Sequence, residues 1–270
     1  MGIIKDIDET QAPLLDHLIE LRARLMRAVL ALALAFFVCL YFARDILAFL
    51  VHPLTEAFPP GQGRLVYTKL YEQFFVELKV ALFAAFFISF PIIANQIWAF
   101  IAPGLYAREK KAFLPFLIAT PVLFALGGSL AYFVVMPTAF HWMLGFQGDV
   151  GGLSVEALPA AGDYLSLVMQ FILAFGISFL LPVLLLLLNR AGIVPRSRLA
   201  GARRYMIVFA FVVAAVATPP DVMSQLMLAV PLILLFEGSM ILMLVLERRD
   251  RKREAKESKV PAVIEPESDE

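Results

Sequence analysis

An all-α protein that crosses a membrane several times is the fold class this sequence predicts, and three observations predict it. Of its 270 residues, 61% are hydrophobic and 17% charged, with a mean hydropathy of +0.81. A water-soluble globule of that composition would have far more apolar surface than it can bury. The apolar residues gather into six runs, near 25–43, 76–102, 112–136, 164–188, 205–217 and 222–246, and about 20 helical residues span a hydrocarbon core of about 30 Å. The charges lie between the runs and at the chain ends, with one sign dominating one side.

Taken in order, the first run is preceded by Leu14, Leu18, Leu21 and Leu25 at three- and four-residue spacing, so its helix is expected to begin before the membrane. The first twenty residues carry Asp6, Asp8, Glu9, Asp16 and Glu20 in place of a short basic leader, which is not expected of a cleaved signal peptide. Cys39, the single cysteine, sits inside an apolar run as a packing residue and permits no intramolecular disulfide. Pro91 in the second run, Pro115 and Pro121 in the third, Pro182 in the fourth and Pro231 in the sixth each remove a helix hydrogen bond. Together they predict a curved, bowl- or glove-like bundle enclosing a concavity. Gly127-Gly128 and Gly176 read as sites of close helix approach.

The fifth run has only about 13 residues, or ~20 Å of helix, and meets the sixth through Thr218-Pro219-Pro220-Asp221. Two prolines enforce a hard turn, and the pair reads as a helical hairpin whose first member is short for an ordinary bilayer. Residues 44–75 and 137–163 are long enough for short helices or ordered caps, so 1–246 forms one membrane domain. The segment 247–270 mixes acids and bases without apolar periodicity and is expected to be a disordered tail. No repeat of fixed period and no inverted similarity of the two halves is visible.

All but Arg44, Arg64, Lys69 and Lys79 of the 23 Lys and Arg residues lie on the side of the two termini, the 103–111 loop and the 189–204 loop. The positive-inside rule makes that side cytoplasmic, with both termini inside and an even number of spans. No enzyme is legible: His17, His52 and His141 lack HExxH spacing, and there is no GxSxG elbow or P-loop. Neither a metal, a cofactor nor nucleic acid is expected as a ligand.

The chemistry that remains is capture of cations by carboxylates at the basic face. Glu20 lies off the leucine stripe, and it also stands four residues before Arg24, where a helix-supporting pair would form. Glu109, in Arg108-Glu109-Lys110-Lys111, equally favours the start of the third helix. Glu237, between Phe236 and Gly238, is the one acid deep in a span; it must be protonated, face a wet cavity or hydrogen-bond a neighbour.

Three segments make the chain resemble the TatC family, the signal-peptide-recognising subunit of the twin-arginine protein translocase. His17-Leu18-Ile19-Glu20-Leu21-Arg22 is similar to the family's N-terminal signature; Gln96 to Tyr106 followed by Glu109 is similar to its first cytoplasmic loop; and Thr218-Pro219-Pro220-Asp221 with Gln225 is similar to its penultimate turn. The resemblance implies a six-span receptor in the bacterial cytoplasmic (inner) membrane that recognises the twin-arginine signal peptides of folded cargo. It also implies self-association, assembly with single-span partners resembling TatA and TatB, and use of the proton-motive force without a nucleotide. On this likeness Glu20 and Glu109 contact the paired arginines, and Arg22, Phe100, Pro103 and Tyr106 shape the site. Pro53 matches a structurally important outer-loop proline, and Asp221, Gln225 and Glu237 match polar positions of the last hairpin.

Two carboxylates from separate segments suit such a ligand, because adjacent residues of an extended peptide point to opposite sides. Arginine's planar fork also binds a carboxylate bidentately where lysine cannot. One position departs from the family: Leu180, ahead of Pro182, stands where a glutamate or glutamine is frequent, and Gln170 is the nearest polar substitute on that span. A rival reading is a small-solute secondary transporter. It needs a midplane polar site, for which Asn95, Gln96, Gln170, Gln225 and Glu237 are the candidates, and the missing inverted repeat argues against it. A scaffold without recognition is the third.

Overall fold

The computed structural model describes residues 5–59, 63–105, 110–219 and 221–257. In chain order the helices are α1 (Lys5–Tyr41), α2 (Ala43–Ala57), α3 (Glu72–Leu105), α4 (Lys110–Leu130), α5 (Met136–Leu144), α6 (Ala161–Ser178), α7 (Leu181–Arg190), α8 (Arg196–Gly201), α9 (Arg203–Ala217) and α10 (Val222–Glu257). The six apolar runs fall in α1, α3, α4, the α6–α7 pair, α9 and α10. Five helical stretches are long and apolar enough to cross a membrane; α9, with 15 residues, is the short one.

Small side chains let these helices approach closely. Helix α1 and the start of α2 lie along α3 over Cys39, Ala43, Ala81 and Ala85, and α4 lies on α6 where Gly127 faces the Phe175 carbonyl and Gly176 faces the Phe124 ring. A Cβ on Gly176 would stand 2.7 Å from that ring, and one on Gly127 would collide with the Phe175 backbone. The main core runs through the middle of the bundle, with Leu50, Val80, Val135, Phe171, Phe175 and Leu228 joining α2, α3, α6 and α10.

The prolines act unequally. Helices α4 and α10 continue through Pro115, Pro121 and Pro231, whereas the fourth run breaks at Phe179-Leu180, just ahead of Pro182, which takes the first turn of α7. Its ring disfavours helical backbone at the preceding residue and is tolerated where an N–H has no partner anyway. Between α4 and α5 the rod contains a five-residue π turn, Ala131–Val135, closed by the Met136 N–H donating to the Ala131 carbonyl.

Within the 137–163 segment, Gly148–Val150 and Leu153–Val155 form a small antiparallel hairpin, part of the ordered cap expected there. Gly151 and Gly152 turn it with φ of 64° and 86°, which only glycine adopts without strain. Residues 247–257, expected to be disordered, prolong α10. Glu, Arg, Lys and Ala are strong helix formers, and an established helix propagates at little cost into such a stretch. The rest of the expected tail, 258–270, lies outside the described residues.

At the end of the bundle opposite the basic loops, the Glu72 carboxylate accepts from the Thr68 N–H at 2.7 Å, the Thr68 hydroxyl at 2.9 Å and, 90 residues away, the Gly162 N–H at 2.9 Å. Beside it the Ala161 N–H donates to the Val66 carbonyl at 2.9 Å. These contacts stitch the two long loops into one cap.

Candidate functional site

At the basic end, α1 begins well before its apolar run, so residues 17–24 are helical and project a defined face. Glu20 accepts from Arg24 Nε at 2.9 Å and also contacts its Nη2. His17, one turn earlier, stacks on Phe100 of α3 with ring centroids 4.3 Å apart and planes 17° from parallel. The stack ties α1, one turn before Glu20, to the last turns of α3. Arg22 is exposed. Pro103 is in the last turn of α3, and Tyr106 and Glu109 lie outside the described residues. His17 was missed as a positioning residue by sequence reasoning, which tested the histidines only for metal spacing; its one signal was its place at the head of the Glu20 segment.

At the opposite end, Pro53 lies inside α2 and has no N–H to give the Phe49 carbonyl four residues earlier. The Tyr132 hydroxyl, from the π turn, donates to that carbonyl at 2.6 Å, and the two rings stack at 4.3 Å. The Tyr164 hydroxyl donates to the next carbonyl, Leu50, at 2.9 Å. Pro53 therefore creates an acceptor that fastens α2 to the third span.

Asp221 caps α10: its Oδ1 accepts from the Ser224 N–H at 2.7 Å, as expected of an N-cap side chain. Asp221 Oδ2 and the Ser224 hydroxyl are buried without a partner. Gln225 follows half-buried on the same turn. Gln170 donates to the Val216 carbonyl at 3.3 Å, serving the unsatisfied last turn of α9. Leu180 falls at the break between α6 and α7.

Glu237 has a defined partner. Arg203, the first residue of α9, donates to it at 2.9 Å, with 56% of the arginine and 40% of the glutamate side chain exposed. The shortness of α9 explains the match: 14 residues back from Ala217 and 15 forward from Val222 bring both to one depth, ~21–22 Å along each helix. The ion pair, not a wet cavity, is what Glu237 faces. A groove of about 800 Å³ does open between α4, α7 and α10, walled by Pro115, Pro182 and Pro231, one proline from each helix. Gly238 and Ser239 line it, on a different side of α10 from Glu237. Ser239 is the one polar side chain in its wall among the described residues.

Residues 16–231 match the family model for the Sec-independent protein translocase protein (TatC). The chain belongs to the TatC family. It is 49% identical over 249 residues to the TatC of Magnetococcus marinus, covering 92% of this chain and 90% of that one. It is 40% identical over 231 residues to the TatC of Escherichia coli (strain K12), covering 86% and 87%. A crystal structure of the twin-arginine translocase receptor TatC superposes with a TM-score of 0.73 at 38% identity, over 85% of this chain and 98% of that one. Family and fold agree with the all-α, multi-pass membrane architecture.

Proposed function

We propose that the chain is the twin-arginine signal-peptide receptor and core subunit of the Tat translocase, exporting folded proteins across the bacterial cytoplasmic membrane at the expense of the proton-motive force. Family membership supports the translocase role, and the family is one of transport components rather than catalysts. The observation that carries the receptor reading is Glu20, presented by a rigid helix on the basic face and aligned by Arg24 next to the stacked His17 and Phe100. An i,i+4 pair of this kind holds only about 0.3–0.5 kcal/mol. An incoming arginine of a signal peptide displaces Arg24 at little cost, and Arg24 keeps the carboxylate aimed meanwhile.

Glu109 supplies the second carboxylate, and Arg22, Phe100, Pro103 and Tyr106 shape the site. The remaining basic residues repel stray cations and attract anionic lipid. In this reading the chain has six spans, counting the short α9, with both termini cytoplasmic. It self-associates and works with TatA- and TatB-like single-span subunits. The polar positions of its last hairpin, Asp221, Gln225 and the Arg203–Glu237 pair, and the α2 segment fastened at Pro53 are where such partners are met.

Binding of Arg-Arg and Lys-Lys signal peptides to the purified chain tests the reading. Arg-Arg should bind at least tenfold tighter, and Glu20→Ala or Glu109→Ala should abolish the difference without loss of membrane insertion; equal binding of both peptides by the native chain would refute it.

A further inference from the structure

Two recesses beside Pro53 are unaccounted for by signal-peptide binding. One, of about 220 Å³, is apolar, with Leu50, Tyr132 and Ile172 as its floor and Phe49, Ile88 and Phe133 at its rim. The rim residues are 54%, 63% and 67% exposed, so the recess opens sideways, where the spans meet hydrocarbon. The other, of about 240 Å³, contains His52 and Glu56. Phe49, Tyr132 and Phe133 line both, so the two make a slot divided by a shared wall, with an apolar depth on one side and a polar mouth on the other.

The wall between them is rigid. The Phe49 and Tyr132 rings stack only 10° from parallel, and the Tyr132 hydroxyl is held by the Phe49 carbonyl. Tyr132 and Phe133 both belong to the π turn; single π turns inside α-helices are uncommon and concentrate at functional sites. The mouth carries one carboxylate, Glu56, with His52 Nδ1 3.7 Å away, both on the exposed side of α2. Among the described residues, neither Lys nor Arg lines either recess.

We propose that this slot holds one phospholipid of the outer leaflet with a primary-amine headgroup, its acyl chain in the apolar recess and its ammonium on Glu56. A protein helix is too thick: one turn about 10 Å wide and ~5.4 Å long fills roughly 400 Å³, more than the apolar recess offers. A single hydrocarbon chain is thin enough for a segment of it to enter, the rest of the chain lying in the bilayer. At the mouth, an ammonium with three N–H donors makes charge-assisted hydrogen bonds to a carboxylate, which a trimethylated choline cannot make and an anionic glycerol headgroup would oppose. The His52 ring N–H is placed to meet the phosphate between amine and chains.

The full chain, reconstituted in nanodiscs with phosphatidylethanolamine, phosphatidylcholine and phosphatidylglycerol of identical acyl chains in equal amounts, tests this by native mass spectrometry after extraction. One retained ethanolamine lipid is expected, favoured about fivefold over either competitor. Glu56→Gln should bring that ratio to within twofold while lipid is still retained. Ser129→Phe and Ile88→Trp, both at exposed positions lining the recess, should each eject the lipid while the melting temperature stays near that of the native chain. Equal retention of the three lipids by the native chain, an unchanged ratio in Glu56→Gln, or undiminished retention in both filled variants would overturn the proposal.

Discussion

At the residue scale, Glu237 and Arg203 form the contact with the sharpest consequences. A lone charge within a span is costly, and Glu237 avoids this by meeting Arg203, at the basic end of α9, across the α9–α10 hairpin. Glu237→Leu strands Arg203 and should lower the melting temperature by several degrees, as should Arg203→Leu. The double variant should recover most of the loss, because two apolar residues replace two charges that need each other; a double variant as unstable as the sum of the singles would show that the pair is not coupled. Glu237→Gln keeps an acceptor for Arg203 and should leave export of a twin-arginine reporter within about twofold of the native rate, which a transport assay in intact cells reads directly.

At the scale of elements, Pro53 and Tyr132 are argued to be one device. Tyr132→Phe leaves the Phe49 carbonyl without a donor in an α-helix that cannot supply one, and should cost about 1–3 kcal/mol. In a Pro53→Ala background the restored N–H at position 53 takes that carbonyl, so Tyr132→Phe should then cost well under half as much. A double-mutant cycle by thermal or denaturant unfolding measures the coupling. Glycine packing offers a contrast of similar kind. Gly127→Ala drives a methyl into the Phe175 backbone and should destabilise by about 1–3 kcal/mol, whereas Gly201→Ala, with open space around its Cβ, should be neutral or slightly favourable.

At the scale of the whole molecule, the distribution of Lys and Arg sets the expected orientation. Reporter fusions within 137–163 should read as periplasmic and fusions within 189–204 as cytoplasmic; the reverse pair would invert the chain and remove Glu20 from the compartment where signal peptides arrive. The groove walled by Pro115, Pro182 and Pro231 is apolar along nearly its whole length, so it gives a small polar solute nothing to bind. That is the physical reason to set aside the transporter reading, two of whose candidate residues are engaged elsewhere: Glu237 on Arg203 and Gln170 on the Val216 carbonyl.

The sequence alone determined the class, because hydrophobic runs, helical spacing and proline positions are local signals that survive without knowledge of neighbours. The helix before the first span was legible for the same reason, whereas the role of Glu20 was implied only by the resemblance to the family. Tertiary structure decided the partners. Arg203 and Glu237 are 34 residues apart, and Phe49 and Tyr132 are 83 apart; each pairing depends on the length and rotation of two helices at once, which no window of sequence contains. The helical continuation past Leu246 was missed because a charged stretch lacking apolar residues looks alike whether it is free or extends a helix already nucleated in the membrane. His17 on Phe100 was missed because stacking leaves no spacing motif. Periodicity reveals which face of a helix is apolar; only the assembled bundle determines which residue of another helix that face will meet.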